Sequence, residues 1–460
     1  MNAVNYKVVR TLRCRNANIP GTLGKLATAI GQIGAEIGNI ETVHLGHRFT
    51  IRDIEVLIDS ENDLDKLVIN VSKLRDVSIL EVRDEVLELH KHGTIKMVNS
   101  IPIDSLDTLQ KVYTPGVAEV CRLIEKDPDW KDSYTSIPDS VAIVTDGTAV
   151  LGLGDIGPVA AMPVMEAKAA LLYQLVGISG IPVLIKTTNP TEIIETIKNI
   201  APTFAAIHLE DISAPRCFQI EQTLDRDLAI PVMHCDQWGT AVVTLAALMN
   251  ACKRTKISLQ ETRIGIIGLG AAGLSLALFL PQFTAKPVMG FDKDETNIRR
   301  HLEHGGIAAT LDEIMLKADI VVAITGEGGL ISPSMVRKGQ IIFALSSPYP
   351  EIAPSVAMSA GAALAADGET INNMLSFPGI WRGTLDSKAK KINFEMYKAA
   401  SLAIASSAVE GELVPNLLDS RMHLRVAHGV AKAAMDSGLA QRHLDDDYFE
   451  DIDFKNPLEL

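Results

Sequence analysis

Apolar and polar positions along the first part of the chain repeat in two ways. Alternation at every second residue predicts strands, and apolar spacing of three to four residues predicts amphipathic helices. The predicted elements are a strand over 6–15, a helix over 23–33, strands over 43–44 and 50–58, a helix over 64–74 and a strand over 77–82. This order predicts a small ferredoxin-like α+β unit, followed by a charged helical linker over 83–96.

The middle of the chain carries short, continuous apolar runs instead of alternating ones. Such runs are typical of strands that are buried on both faces of a parallel sheet. They cover 141–144, 182–185, 205–208 and 231–234, with helical patterns at 166–175 and 192–200 between them. A second series has strands over 265–267, 288–291, 320–323 and 341–344, and an alanine-rich helical region follows residue 388.

These patterns predict an α/β protein of several domains, which a length of 460 residues accommodates. We place a ferredoxin-like domain at 1–85, an α/β substrate and metal domain at 86–238, a Rossmann-type dinucleotide-binding domain with C-terminal helices at 239–440, and a poorly packed acidic tail at 441–460.

Composition narrows the function classes. The 43 basic and 57 acidic residues give a net charge of −14, and no basic run provides the face that a general nucleic-acid binder needs. The five cysteines are widely spaced and never form a CxxC pair, which argues against a disulfide framework or a zinc knuckle. Because the chain has no apolar signal core and no uncharged apolar run of about 18 residues, we expect a cytoplasmic protein without a membrane span.

The glycine pattern GxGxxG occurs twice, and its context distinguishes the two copies. Gly268, Gly270 and Gly273, with Ala272 between the last two, follow one predicted strand and open an apolar helix. Free N–H groups at such a helix start bind pyrophosphate, and glycines let the backbone approach it. Asp292 ends the next strand about 20 residues on, where a carboxylate binds the ribose 2′-hydroxyl of NAD and repels the 2′-phosphate of NADP. The second copy therefore predicts an NAD site.

The first copy, Gly152-Leu153-Gly154-Asp155-Ile156-Gly157, fails this test. Asp155 places a negative charge where pyrophosphate would lie, Pro158 follows at once, and the next strand leads to Lys186 instead of an acid. This copy predicts a tight turn between a strand and a helix.

Three carboxylates follow neighbouring predicted strands. Glu210 and Asp211 come directly after one strand, and Asp236 comes just after the next. Because ligands bind outside the carboxyl ends of parallel strands, these oxygens suit a hard divalent cation, Mg²⁺ or Mn²⁺. Spacing alone equally allows three solvated loop acids.

Two further residues have a catalytic interpretation and a structural alternative. Lys168 lies within an otherwise apolar helix, where it either extends to water or, desolvated beside a cation, becomes a base of lowered pKa. Tyr113 heads a turn, where a tyrosine most often packs.

Several segments together resemble the bacterial branch of the malic enzyme family, in the right order from about residue 101 to 440. They are Tyr113–Val117, Thr145–Gly147, Leu151–Gly157, Leu209–Ile212, Gly239–Ala241 and Phe377–Ile380. The first ~85 residues resemble an ACT domain, a regulatory and commonly dimeric module that often binds an amino acid at the turn corresponding here to Asn18–Leu23.

The resemblance implies NAD-dependent, metal-dependent oxidative decarboxylation of L-malate to pyruvate and CO₂ by a homodimer or higher homo-oligomer. It assigns Lys168 as the general base, Tyr113 as the general acid and Asn373 as a contact of the substrate carboxylate. It assigns the metal ligands as Glu210, Asp211 and Asp236. It also adds Thr325 and Ser347 to the residues that bind the cofactor.

Three positions depart from the family pattern. Cys235 replaces an acid beside the metal ligand, Trp238 replaces a smaller polar residue, and Ser347 replaces an asparagine. We expect all three at the active site, with Cys235 either a thiolate that ligates the cation or an inert buried cysteine packed against Trp238. Two alternatives to malate oxidation follow: a decarboxylating dehydrogenase for another 2-hydroxy acid, and a catalytically weak metabolite-sensing protein.

Overall fold

The computed structural model describes residues 8–450, so the predicted start of the first strand at residue 6 and the tail beyond 450 lie outside the described residues. The chain divides into two compact units, Met1–Thr94 and Ile95–Leu460.

The first unit confirms the predicted order of strands and helices. Its elements are β1 (Val8–Ala17), α1 (Thr22–Gly31), β2 (Glu36–Leu45), β3 (Phe49–Ile58), α2 (Glu61–Ser72), β4 (Val77–Arg83) and α3 (Glu85–Leu89). The four strands form an antiparallel sheet in the order β2-β3-β1-β4. Leu12 and Cys14 of β1 are completely buried with Leu26 of α1 and Leu67 of α2, so the helices cover one face of the sheet.

The boundary of this unit lies later than the predicted residue 85. Glu85, the first residue of α3, accepts a 2.6 Å hydrogen bond from the Thr11 hydroxyl of β1. The predicted linker is therefore partly an element of the first unit, which ends at Thr94.

The second unit opens with three helices that bury none of their residues: α4 (Leu106–Val112), α5 (Val117–Lys126) and α6 (Lys131–Tyr134). Their apolar side chains are nevertheless numerous. Leu106 of α4 and Tyr134 of α6, for example, are 77% and 52% exposed.

A four-stranded parallel sheet follows, as predicted. It contains β5 (Ser140–Thr145), α7 (Pro158–Val176), β6 (Ser179–Leu184), α8 (Pro190–Ile200), β7 (Ala206–Leu209), α9 (Arg216–Asp227) and β8 (Val232–His234). The strand order is β6-β5-β7-β8. Every residue of β5 is buried, which explains its uninterrupted apolar run.

The second parallel sheet has six strands. Its elements are α10 (Cys235–Thr255), β9 (Ile264–Ile267), α11 (Ala271–Phe279), β10 (Met289–Phe291), α12 (Glu295–Glu303), β11 (Ile307–Ala308), α13 (Leu311–Lys317), β12 (Ile320–Ala323), β13 (Ile341–Ala344), α14 (Pro354–Ser359) and β14 (Leu364–Asp367). The order β11-β10-β9-β12-β13-β14 is that of a Rossmann sheet and confirms the predicted architecture.

Helix α10 joins the two parallel sheets and crosses the predicted boundary between the second and third domains. It starts at Cys235 and runs without interruption through the predicted boundary at 238/239. Three C-terminal helices complete the unit: α15 (Phe377–Asp386), α16 (Phe394–Ser407) and α17 (Ser420–Asp436). Helices α15 and α17 pack on α7, and α16 packs on α10.

The described part of the tail is packed, contrary to prediction. The Tyr448 hydroxyl donates a 2.5 Å hydrogen bond to Asp386, and its ring lies 4.5 Å from that of His428.

Helix α7 is long and apolar enough by composition to cross a membrane, and within the described residues no other helix meets that test. Its packing against β5, β6, α15 and α17 identifies it as a core helix of this unit.

Candidate active site

The ends of β7 and β8 bring the three predicted carboxylates together. Carboxylate oxygens of Glu210, Asp211 and Asp236 all lie within 4.8 Å of one another. Glu210 and Asp211 are only 2% and 3% exposed, so they are not solvated loop acids. We refer to these three residues as the carboxylate cluster.

Backbone contacts fix the cluster. Asp211 has the unusual φ of 53°, its N–H donates to Asp236 Oδ2 at 2.9 Å, and its carbonyl accepts from the N–H groups of Thr148 and Ala149. Such left-handed conformations of non-glycine residues are strained and concentrate at functional sites.

The electrostatics of the carboxylate cluster suit a cation. Burial, followed by repulsion from Asp236 and Glu210, raises the pKa of Asp211 to about 9. Burial and the charge of Glu210 raise the pKa of Asp236 to about 6. Oδ2 of Asp211 is buried without a hydrogen-bond partner. Three hard oxygens that repel one another, one of them unpartnered, fit Mg²⁺ or Mn²⁺.

Lys168 projects from α7 into the same cluster. It is 8% exposed, its Nζ lies 3.1 Å from Glu210 Oε2, and it sits 4.5 Å from the centre of the Phe377 ring. Burial lowers the pKa of Lys168, but negative charge around it outweighs burial and the net shift is upward. In these surroundings the ammonium form of Lys168 is stabilised, and a lowered pKa beside a bound cation stays a prediction.

Cys235 also lies at this cluster, as predicted, and its chemistry is that of a neutral thiol. It is completely buried, and its sulfur is 3.8 Å from Lys168 Nζ. Burial raises the pKa of the thiol well above its ordinary value, although Lys168 acts in the opposite direction. Cys235, Glu210 and Asp236 all act to raise the pKa of Lys168 against the effect of its burial. A Cys235 thiolate that ligates a bound cation stays a prediction.

His208 was not predicted as a site residue. Its Nε2 lies 2.6 Å from Glu210 Oε2, and Trp381 donates its indole N–H to Nδ1 at 2.8 Å. Because an indole N–H can only donate, Nδ1 accepts and the ring proton is on Nε2. His208 is therefore a donor to Glu210, although it also lies close enough to Glu210 and Cys235 to resemble a zinc site. Its place in β7, two residues before Glu210 at the end of that strand, was the available signal.

Glu221 of α9 is a second residue of the site that was not predicted from the sequence. Its carboxylate accepts from the His234 backbone N–H at 2.7 Å, from Gln237 Nε2 at 2.8 Å and from Trp238 Nε1 at 3.3 Å. Burial raises its pKa to about 7 against these hydrogen bonds. Glu221 therefore holds the junction of β8 and α10, from which Asp236 projects.

Trp238 packs its ring against helix α16. Its ring stacks on Tyr397 at 4.9 Å and meets the edge of Phe394 at 5.5 Å. It belongs to an aromatic group with α16, one turn of α10 after Cys235, and an effect of its size on the substrate pocket stays a prediction.

Two substrate-side predictions have different outcomes. Asn373 flanks α10 beside the cluster: a Cβ placed on Gly239 would lie 3.4 Å from Asn373 Cβ and 2.8 Å from the Cys235 sulfur. Tyr113 is not joined to the cluster, because its phenol is largely exposed and makes no hydrogen bond within the described part of the chain.

The predicted dinucleotide motif forms a cradle between β9 and α11. A Cβ at Gly273 would lie 1.9 Å from the Gly268 carbonyl oxygen, so no side chain fits there. A Cβ at Gly270 would meet nothing within 4 Å, and this space is where pyrophosphate would lie. Ala272 lies in the first turn of α11. The cradle therefore fits a dinucleotide.

The adenosine side of this cradle is a cavity of about 160 Å³. It is lined by Gly268, Gly270, Phe291, Asp292, Lys293, Ile324, Thr325, Glu327 and Leu330. Asp292 is held there by the Leu269 N–H, which donates to its Oδ2 at 2.6 Å. The structure thus brings the predicted Asp292 and Thr325 to one pocket.

A buried carboxylate connects the loops after β12 and β13. Glu351 accepts from the N–H and hydroxyl of Thr325 at 2.7 and 2.8 Å, and from the Ser346 hydroxyl at 2.5 Å. The adjacent Ser347–Pro348 contacts the first glycine loop, where a Cβ at Gly152 would lie 2.6 Å from Pro348 Cδ. That loop is the tight β5–α7 connection that the sequence predicted.

Comparison with known proteins gives consistent matches. The family model described as "Malic enzyme, N-terminal domain" matches residues 92–193 and 186–225. The chain is 51% identical over 430 residues to NAD-dependent malic enzyme 1 of Bacillus subtilis, covering 93% of this chain and 98% of that protein. It is 39% identical to the NAD-dependent malic enzyme of Geobacillus stearothermophilus, covering 91% and 92%.

Solved structures agree with these sequence matches. The malic enzyme from Pyrococcus horikoshii is similar with a TM-score of 0.75 at 36% identity, covering 80% of this chain and 94% of that one. The NAD-dependent malic enzyme from Thermotoga maritima gives a TM-score of 0.71 at 36% identity, with 75% and 98% covered.

Proposed function

The chain belongs to the malic enzyme family, and from this premise we propose that it oxidises and decarboxylates L-malate to pyruvate and CO₂ while reducing NAD. One observation carries the proposal: Lys168 Nζ lies 3.1 Å from Glu210 within a cluster of three carboxylates, of which Glu210 and Asp211 are buried. A base beside a cation site is what removal of a hydroxyl proton next to a departing hydride requires.

Lys168 is the proposed general base. It takes the proton of the C2 hydroxyl as the hydride leaves C2 for NAD. A divalent cation held by Glu210, Asp211 and Asp236 would supply Lewis-acid polarisation of the C2 oxygen. To act as a base, Lys168 must lose its proton first, and this becomes easier when the carboxylate charge that raises its pKa is offset.

Asn373 is proposed to orient the substrate carboxylate from its position beside Gly239. Cys235 is proposed to contribute only a weak hydrogen bond to the base. Tyr113 is proposed to protonate C3 after CO₂ loss, which requires its exposed segment to close over the site. Asp292 binds the adenosine ribose of NAD in this proposal, and Thr325 and Ser347 line the path toward the nicotinamide.

The test is NADH formation at 340 nm with Mn²⁺ and a panel of 2-hydroxy acids. We expect L-malate to give the highest kcat/KM and Lys168→Met to lose at least 10³-fold in kcat, on the scale of a lost base. Lys186→Met, which removes a lysine beyond the neighbouring strand β6, is the matched control and should stay within twofold. Preference for another 2-hydroxy acid would support the alternative dehydrogenase, and no turnover with intact NAD binding would support a metabolite-sensing protein.

We further propose that the first unit is a regulatory ACT-like domain with a small effector at its Asn18–Leu23 turn. Its βαββαβ order supports this, and none of its residues belongs to the carboxylate cluster or the dinucleotide cradle. The exposed apolar side chains of 97–113 support a homodimer, which light scattering would test as twice the chain mass. Five free cysteines support the proposed cytoplasmic location.

A further inference from the structure

We propose that Glu327 enforces the choice of NAD over NADP by cancelling the charge of Lys293 at the rim of the dinucleotide cavity. This inference rests on the proposed function, because it concerns the cavity in which Asp292 binds the ribose. It assigns a role to a residue of the β12 loop that lies outside the glycine motif.

The two residues come from different strands of the Rossmann sheet. Lys293 follows β10 and Asp292, whereas Glu327 lies in the loop after β12, and both line the same cavity. Lys293 Nζ donates to Glu327 Oε2 across it. With Asp292 included, the rim carries two negative charges and one positive charge.

The position of Lys293 makes this pair relevant to cofactor choice. Asp292 has a fixed orientation, because its oxygens accept from the N–H groups of Leu269 at 2.6 Å and Asp294 at 2.8 Å. A lysine next to it, if unpaired, would offer an ammonium group close to the 2′ position of the ribose. Lysine is a common phosphate ligand, and a 2′-phosphate carries a charge near −2. Lys293 alone would therefore weaken the discrimination that Asp292 provides.

Glu327 is held in place to oppose Lys293. Its N–H donates to the Thr325 hydroxyl at 3.0 Å, and Thr325 is bonded through its N–H and hydroxyl to the fully buried Glu351. The intervening Gly326 N–H donates to the Ser346 hydroxyl at 2.7 Å. The loop is thus ordered independently of the ion pair, and loss of the Glu327 carboxylate would leave the loop intact.

The pair itself adds little to stability, since its side chains are 68% and 50% exposed. A substitution there therefore tests recognition and not folding. In this respect Glu327 differs from the buried groups around it.

The experiment is calorimetric titration of the full chain with NAD and with NADP, without malate and without turnover. The variants are Glu327→Gln, Lys293→Gln and the double variant. Glu395→Gln is the matched control, because Glu395 pairs with Lys398 on α16, outside the cavity, and changes the net charge equally. We expect Glu327→Gln to tighten NADP binding about tenfold, the effect of one charge-assisted phosphate contact, with NAD binding within twofold.

The double variant should lose this gain, because the freed ammonium is its source, and Glu395→Gln should bind both dinucleotides like the parent. Unchanged NADP affinity in Glu327→Gln, with normal NAD binding, would overturn the inference and leave the proposed function intact. A gain that persists in the double variant would also overturn it. Failure of the parent to bind NAD would instead contradict the dinucleotide site, and with it the proposed function.

Discussion

Lys168 is held by one close ion pair to Glu210 and by a weak contact to the neutral sulfur of Cys235. A neutral thiol accepts hydrogen bonds poorly, so the base has little on that side to orient it or to take its proton. The sulfur also touches the space above Gly239, where Asn373 lies. A small substitution at Cys235 therefore changes the immediate surroundings of Lys168.

Cys235→Asp is expected to raise kcat with Mg²⁺ about tenfold, because a carboxylate at this position can accept the proton that Lys168 must lose before it acts as a base. Cys235→Ser is the control: it keeps a neutral side chain and should stay within threefold. The measurement is steady-state kcat for L-malate in folded variants. An equal or lower rate for Cys235→Asp with both Mg²⁺ and Mn²⁺ would show that the thiol does not limit the base.

Glu221→Gln is expected to destabilise the protein by about 2–3 kcal/mol and to weaken Mn²⁺ binding. In the parent, both carboxylate oxygens accept N–H groups. An amide in either orientation would direct its NH₂ at one of these donors, leaving buried polar groups unpaired.

Denaturant unfolding and Mn²⁺ titration would measure the two effects. Asp225→Asn on the same helix is the control, because Asp225 is partly exposed and pairs with Lys391 at the surface. Equal stability of Glu221→Gln and Asp225→Asn would contradict a positioning role for Glu221.

The residues of the site could be predicted from the sequence where position on a strand determines location. Glu210, Asp211 and Asp236 follow strand ends, so their convergence followed from sheet geometry alone. The pKa of Lys168 could not be predicted, because it depends on the balance of burial against charges brought in by other strands. Glu221 and the orientation of Trp238 depend on packing between α9, α10 and α16, for which a local pattern carries no signal.

The β9–α11 turn is the element on which dinucleotide binding depends. Gly270→Ala should keep the parent melting temperature, because its Cβ meets nothing, but it should weaken NAD binding at least tenfold by filling the pyrophosphate space. Gly273→Ala should also lose stability, because its Cβ would overlap the Gly268 carbonyl.

Thermal unfolding and NAD titration would separate these two effects. Equal melting temperatures for both variants would contradict the close approach of α11 to the turn. Unchanged NAD affinity in Gly270→Ala would place the pyrophosphate elsewhere.

In the antiparallel sheet, Asp53 of β3 is bonded to Arg13 of the neighbouring strand β1 and to Arg83 of β4, the strand beyond it. Arg13 donates two 2.8 Å hydrogen bonds to it, Arg83 donates a third, and the side chain is 12% exposed. The Arg13 hydrogen bond, opposed by burial and aided by Arg83, lowers the pKa of Asp53. A lowered folded pKa stabilises the sheet above the unfolded value near 3.9, and this stability is lost as pH falls through and below it.

Asp53→Asn should therefore destabilise β1 and β3 by about 1–2 kcal/mol at pH 7 and flatten their pH dependence between about pH 5 and 3. Hydrogen exchange of peptides from these strands in the full chain would measure it. Asp76→Asn, which removes a more exposed carboxylate 3.8 Å from Lys25, should change exchange by less than about 0.5 kcal/mol. Parent-like exchange in Asp53→Asn would refute the role of this group.

Elements with a strong hydrophobic repeat could be predicted from the sequence, and short elements without such a repeat could not. The βαββαβ order and eight parallel strands follow from periodicity and apolar runs. Strand β11 has two exposed residues, Ile307 and Ala308, and therefore lacks an apolar run to reveal it. Strand β14, Leu364–Asp367, alternates buried and half-buried residues among alanines that also suit a helix.

The chain divides into two units, and the carboxylate cluster and the dinucleotide cavity both belong to the second. Removal of residues 1–94 is expected to leave kcat for L-malate within threefold and to abolish any response to small effectors. The cut after Thr94 keeps α3 with the unit to which Glu85 binds it. Rate measurements with a panel of amino acids would test this, and loss of turnover in a folded truncated chain would contradict the division of labour.

One cluster, Lys168 with three carboxylates, is proposed to couple hydride transfer to loss of CO₂. The direct measurement is the stoichiometry of the full chain with L-malate, NAD and Mn²⁺. We predict one NADH and one pyruvate for each malate consumed, and loss of both products together in Asp236→Asn. NADH accumulating with oxaloacetate in place of pyruvate, or pyruvate formation that survives in Asp236→Asn, would contradict the account.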